Sequence, residues 1–176
     1  MAFITAMISA CNTNGSRNSN ATEAATTVQT NSNPIAVSDE SLPEAPDFTL
    51  NDTKGKPLAL SSLRGKYVVL DFWGSWCKWC IKGFPMMKEY YEKHQGKFEI
   101  LGIDCGDSEE EWLTAVDNYQ LPWLNVYNPS NSELPDIYGV EGFPTKVIIN
   151  PDGKVLKTIV GEDAAFYTLL DQLLSQ

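Results

Sequence analysis

Basic residues are few: 13 Lys and Arg stand against 23 Asp and Glu, for a formal net charge of −10. Phosphate backbones are held by clustered cations, so nucleic acid is excluded as a partner. Histidine is nearly missing, with His94 alone. Without further histidines or a second Cys-x-x-Cys there is no ligand set for a structural zinc, and neither a metal nor another cofactor is expected. Four cysteines are too few and too unevenly spaced for a disulfide-stapled miniprotein: Cys11 and Cys105 are isolated, while Cys77 and Cys80 are close. The N-terminal apolar run, Phe3 to Ile8, is too short to cross a bilayer, and no cation precedes it.

What is present suits one ordinary core. A chain of 176 residues, 43% hydrophobic and with five Trp, can bury a single domain and leave a tail. Ser9-Ala10-Cys11 sets small residues before a cysteine and is similar to the bacterial lipoprotein signal. Residues 1–11 are therefore read as a partial signal, with Cys11 the lipidation candidate. Residues 12–42, dominated by Asn, Thr, Ser and Ala, lack the apolar side chains that would offset the entropy of ordering, and read as a flexible tether. Signal and tether together place the folded part, residues 43–176, in a bacterial cell envelope, facing the periplasm and touching the membrane only through a lipid anchor.

Within that part, Phe48–Leu50 and Leu58–Leu60 flank a polar turn segment and predict a hairpin. Tyr67–Trp73 is a near-continuous run of β-formers, as a strand buried on both faces requires. A helix is expected from Cys77 to His94, interrupted by Pro85, with His94 a solvated capping residue. Phe98–Ile103 is a second buried strand. Ser108 and Glu111 form a capping-box pattern, and Trp112, Leu113, Val116 and Tyr119-Gln120 continue at helical spacing. Then come a short strand at 124–126, a short helix at 133–138, a hairpin of 145–149 with 155–159, and a terminal helix on which Phe166, Leu169, Leu170, Leu173 and Leu174 share one face. This order suits an α/β fold whose mixed sheet is covered on both faces.

Cys77-Lys78-Trp79-Cys80 follows the first buried strand and opens the first helix. Unpaired amides and the positive end of the macrodipole favour a thiolate there, which makes Cys77 the attacking group. Cys80 falls one turn later, within reach of a disulfide, and acts second. Lys78 adds a cation beside Cys77; favouring the thiolate stabilises the reduced form and makes the pair a better oxidant than a Gly-Pro spacer would. Trp79 is read either as an apolar platform beside the sulfur or as packing against its own domain, and Trp73 and Trp76 either as shields against water or as core packing. Cys105, just past the second strand, is read as structural, with a resolving or regulatory thiol as the alternative.

The segment Asp71-Phe72-Trp73-Gly74-Ser75-Trp76-Cys77-Lys78-Trp79-Cys80, with Pro85 beyond it, resembles the active-site segment of the thioredoxin superfamily. Tyr138-Gly139-Val140-Glu141-Gly142-Phe143-Pro144-Thr145 resembles that family's cis-proline loop, and Ala45-Pro46-Asp47-Phe48-Thr49-Leu50, Leu63-Arg64-Gly65-Lys66 and the helix near Ser108 narrow the likeness to the TlpA/ResA-like branch. The resemblance covers residues 43–176. It implies a three-layer α/β/α thioredoxin-like fold with an N-terminal hairpin and a helix–strand insertion. It further implies that Pro144 is a cis-proline leaving the Phe143 backbone free to pair with an extended substrate, and that Asp71 is the buried acid accepting the proton of the resolving cysteine. Many members of the branch carry a glutamate three residues after the second cysteine; Gly83 stands there in this chain, so acid–base work falls to Asp71.

The function expected is thiol–disulfide exchange with exported proteins, acting as a reductase and supplied by a membrane thiol donor. Catalysis would rest on Cys77, Cys80 and Asp71, and substrate contact on Trp76, Lys78, Trp79, Phe143 and Pro144. Two other functions stay open: a peroxiredoxin-type peroxidase, and a non-catalytic envelope lipoprotein whose disulfide is structural.

Overall fold

A computed structural model of the chain describes residues 41–175. The first half of the described chain holds β1 (Thr49–Asp52), β2 (Pro57–Ala59), a 3-10 turn (Leu60–Leu63), β3 (Tyr67–Trp73), α1 (Lys78–Lys93) and β4 (Phe98–Asp104). The second half holds α2 (Glu109–Asn118), β5 (Leu124–Tyr127), α3 (Leu134–Ile137), β6 (Thr145–Ile149), β7 (Val155–Val160) and α4 (Ala164–Leu174). The candidate signal with Cys11, and the tether up to residue 40, lie outside the described residues.

Apolar runs that must hide both faces occupy the centre of the sheet. Its seven strands lie in the order β2-β1-β5-β4-β3-β6-β7. β3 and β5 flank β4 in parallel, whereas β6 and β7 on one side and β1 and β2 on the other are antiparallel. Alternation along β3 divides the core. Val69 and Trp73 meet Phe84 and Met87 of α1, Trp112 of α2, and Phe166 and Leu170 of α4. Val68, Leu70 and Phe72 meet Leu60 and Leu63 of the 3-10 turn and Leu134 and Tyr138 around α3. Each such large side chain, fully buried, contributes roughly 1.5–3 kcal/mol, and the sheet thus forms the middle of three layers.

Caps set the helix boundaries and shift several from the expected positions. Ser108 and Glu111 make the reciprocal capping box at the start of α2, a feature whose loss costs about 1 kcal/mol. The helix ends at Asn118 rather than continuing through Gln120, because Gln120 has φ 48°, a left-handed conformation that unwinds the last turn. Asp163 caps α4 by accepting the Ala165 N–H at 2.8 Å, starting that helix before Phe166. His94 does end α1, but it is not solvated: Tyr90 lies 5.5 Å away ring to ring and Asp171 of α4 3.6 Å from its Nε2. No helix among the described residues is long and apolar enough to cross a membrane.

Candidate active site

α1 begins where β3 ends, across Gly74, Ser75 and Trp76. Cys77 has an extended backbone (φ −81°, ψ 94°) and is the N-cap, so the helix starts at Lys78; the Cys77 Sγ accepts the Cys80 N–H at 3.1 Å. A sulfur taking a first-turn amide at a helix N-terminus is electrostatically suited to carry negative charge. Cys77 and Cys80 are joined, with S–S 2.01 Å and Cα atoms 5.3 Å apart. Both residues are nearly enclosed, 5% and 2% exposed. Exposure therefore separates the two sulfurs little, and the helix end is what distinguishes them.

The loop before Cys77 is held from the end of β4. Ser75 donates its N–H and its hydroxyl to the Asp107 carboxylate, at 2.7 and 2.8 Å. Trp76 Nε1 donates to the Cys105 carbonyl at 2.9 Å, and a side chain at Gly74 would strike both the indole and that carbonyl. Cys105 itself is a free, buried thiol, and burial, with Asp104 nearby, pushes it up to about 12. Such a thiol stays protonated and is a poor nucleophile, as a structural cysteine should be.

Two exposed indoles rim the disulfide: Trp76 is 56% exposed and Trp79 59%, with Lys82 Nζ 4.9 Å from the Trp79 ring centre. Of the two readings of Trp73, core packing holds: it is wholly within the core, edge-on to Phe84. Lys78 is exposed on the first turn of α1. The Phe143–Pro144 peptide bond is cis, Pro144 is buried, and the Phe143 ring lies edge-on to Trp76 at 5.1 Å. Gly161, after β7, donates to the Pro144 carbonyl at 2.7 Å. Among the described residues, no turn or loop hydrogen bond engages the Phe143 main chain.

Behind the disulfide, on the α1 side of the sheet, Asp71 is 1% exposed. Burial raises its carboxyl to about 6, opposed by the Lys146 ammonium. Lys146 faces it across the β3–β6 pairing at 3.8 Å and is itself 1% exposed. A carboxyl held there can take up or release a proton near neutral pH.

Residues 43–158 match the AhpC/TSA family. The chain belongs to that family. Its relatives include the thiol-disulfide oxidoreductase ResA of Bacillus subtilis (strain 168), 41% identical over 123 residues, which are 67% of this chain and 66% of that one. ResA of Bacillus anthracis is 39% identical over 120 residues, covering 68% and 69%. Among solved structures, a thiol-disulfide oxidoreductase from Bacteroides fragilis NCTC 9343 superimposes with TM-score 0.68 at 29% identity, over 74% of this chain and 98% of that one. The chain thus spans about two thirds of the length of its curated ResA relatives. Its fold is thioredoxin-like, and it is a ResA-like member of the family.

This ResA-like chain holds buried polar groups that the sequence reading passed over. Lys146 Nζ bonds Glu162 Oε2 at 2.8 Å, and the Glu162 carboxylate fills the place a side chain at Gly83 would take. Asp104, at the end of β4, is fully buried; burial, and then Asp107, raise it to about 8. Both features had a signal. A lysine inside an apolar strand and an acid closing another demand buried partners.

Proposed function

We propose that the chain reduces disulfides in exported polypeptides, working on the periplasmic side of a bacterial envelope. The Cys77 thiolate attacks one sulfur of the substrate; the substrate S–S bond breaks, a mixed disulfide forms, and the other sulfur leaves as a thiolate. Cys80 passes its proton to Asp71 and attacks the Cys77 sulfur, so the Cys77–Cys80 bond forms and the second substrate sulfur departs. Two electrons move from the dithiol to the substrate, and a thiol reductant at the membrane restores the dithiol. The Cys80 N–H directed at the Cys77 sulfur carries this reading.

Lys78 supports the thiolate, Trp76 and Trp79 offer apolar contact to the incoming chain, and the Phe143 main chain beside Pro144 pairs with it in extended form. Cys11 would supply a lipid anchor and residues 12–42 the reach. Ser75, the nearest counterpart to a peroxidatic threonine, spends its hydroxyl on Asp107, which weighs against the peroxidase reading. Insulin reduction by the full chain tests the proposal: it should vanish in Cys77→Ser, while Cys80→Ser should accumulate a mixed disulfide. Undiminished turnover in Cys77→Ser, or no trapped partner with Cys80→Ser, would overturn it.

A further inference from the structure

Glu162 reaches the site through a turn built for it. Gly161 takes φ 85°, a left-handed conformation, while its N–H is tied to the Pro144 carbonyl, and the chain then sends Glu162 inward against α1. The carboxylate lies where Gly83 lacks a side chain, one helical turn beyond Cys80 and on the same buried face. Tyr167 of α4 donates its hydroxyl to the other carboxylate oxygen at 3.2 Å. Lys146 is therefore shared unequally: 2.8 Å from Glu162 but 3.8 Å from Asp71, whose Oδ1 accepts no hydrogen bond.

Two carboxylates and one ammonium carry an excess negative charge when all are ionised, and Asp71 and Lys146 among them are shut off from water. Water reaches the edge of Glu162 but neither Asp71 nor Lys146, so a proton is taken up most readily by the enclosed carboxyl that lacks a bonded cation. That carboxyl is Asp71. We propose that Lys146 and Glu162 are positioning residues for Asp71, the ammonium held by Glu162 setting how tightly Asp71 binds the proton it receives from Cys80. This rests on the disulfide-exchange reading above. The groups facing Asp71 are Lys146 of β6, Glu162, Tyr167 of α4 and Cys105 after β4.

The two neighbours act in opposite directions. Glu162 raises the proton affinity of Asp71 and Lys146 lowers it. Resolution by Cys80 needs ionised Asp71, so its rate has an acid limb at the Asp71 titration. Stopped-flow oxidation of the reduced full chain by a small disulfide, followed by tryptophan fluorescence from pH 5 to 9, reads that limb. Glu162→Gln should move it down by about one pH unit, and Lys146→Met up by about one unit or more. A role confined to packing would alter unfolding midpoints without opposed shifts. A limb unmoved in Glu162→Gln overturns the proposal, and this near-isosteric variant decides the matter even if Lys146→Met does not fold. The Asp71 carboxyl titration, followed by 13C NMR in wild type and Glu162→Gln, should show the same downward shift without turnover. That measurement separates failure of this inference from failure of the exchange activity itself.

Discussion

Asp71 and Asp104 stand on the same face of neighbouring central strands, since Asp71 and Trp73 alternate together on β3 and Trp73 pairs with Asp104 of β4. Water reaches neither, and burial is the first cause of the raised proton affinity in both. Their neighbours differ in sign. Asp71 faces an ammonium and titrates at about 6; Asp104 faces the Asp107 carboxylate and titrates at about 8. Near pH 7 the first is mostly ionised and can take a proton, while the second keeps its proton and can donate it to Asp107. Asp107 already holds Ser75 by two bonds. Burial alone thus does not choose between a base and a clamp; the charge of the partner does.

The largest contrast should come from removing each charge in turn. Asp71→Asn deletes the proposed proton acceptor and should slow resolution at pH 7 by about a hundredfold, with mixed disulfide building up. Asp104→Asn mimics the neutral form already present and should leave the same rate within about threefold. Insulin turnover and single-turnover oxidation of the two variants provide the measurement. Equal losses in both would dissolve the distinction.

Stability against pH sharpens it next. Each carboxyl binds its proton more tightly folded than unfolded, where the ordinary value is 3.8, so unfolding releases protons between that value and the folded one. The contribution is complete below about pH 4 and is lost as pH rises, by up to about 1.4 kcal/mol per pH unit for each group. For Asp71 the decline ends near pH 6, for Asp104 near pH 8. Urea midpoints of the oxidised chain should fall between about pH 6 and 8 in wild type and Asp71→Asn, and stay level in Asp104→Asn. A wild-type midpoint rising over that window would show that Asp104 does not hold its proton.

Local pattern made much of this molecule legible from its residues. β3 and β4 show as unbroken apolar runs, α2 through the Ser108–Glu111 box, α4 through its five-residue apolar face, and the disulfide through a strand-to-helix cysteine pair. The polar groups behind the disulfide depend instead on strand register and on a turn arriving from elsewhere. Glu162 lies 16 residues from Lys146, and Ser75 lies 32 from Asp107. Gly83 signals only that a side chain is missing there, not what fills the room. The cover of His94 escapes the local pattern for the same reason: it comes from Asp171, on an element that sequence distance does not connect to α1.

Ser75→Ala is the gentlest probe, and it tests the clamp from the loop side. The variant loses the 2.8 Å hydroxyl bond but keeps the 2.7 Å backbone bond to Asp107, so the cost should be about 1 kcal/mol in the urea midpoint. With one donor gone, the Asp107 carboxylate becomes a stronger acceptor for the proton on Asp104. The decline in stability should therefore extend to slightly higher pH than in wild type. Disulfide exchange at pH 7 should stay within about twofold, because neither Cys77 nor Asp71 loses a partner. Should exchange instead collapse as far as in Asp71→Asn, the Asp104–Asp107 pair would belong to the proton chemistry, and the difference in partner sign would no longer separate the two carboxyls.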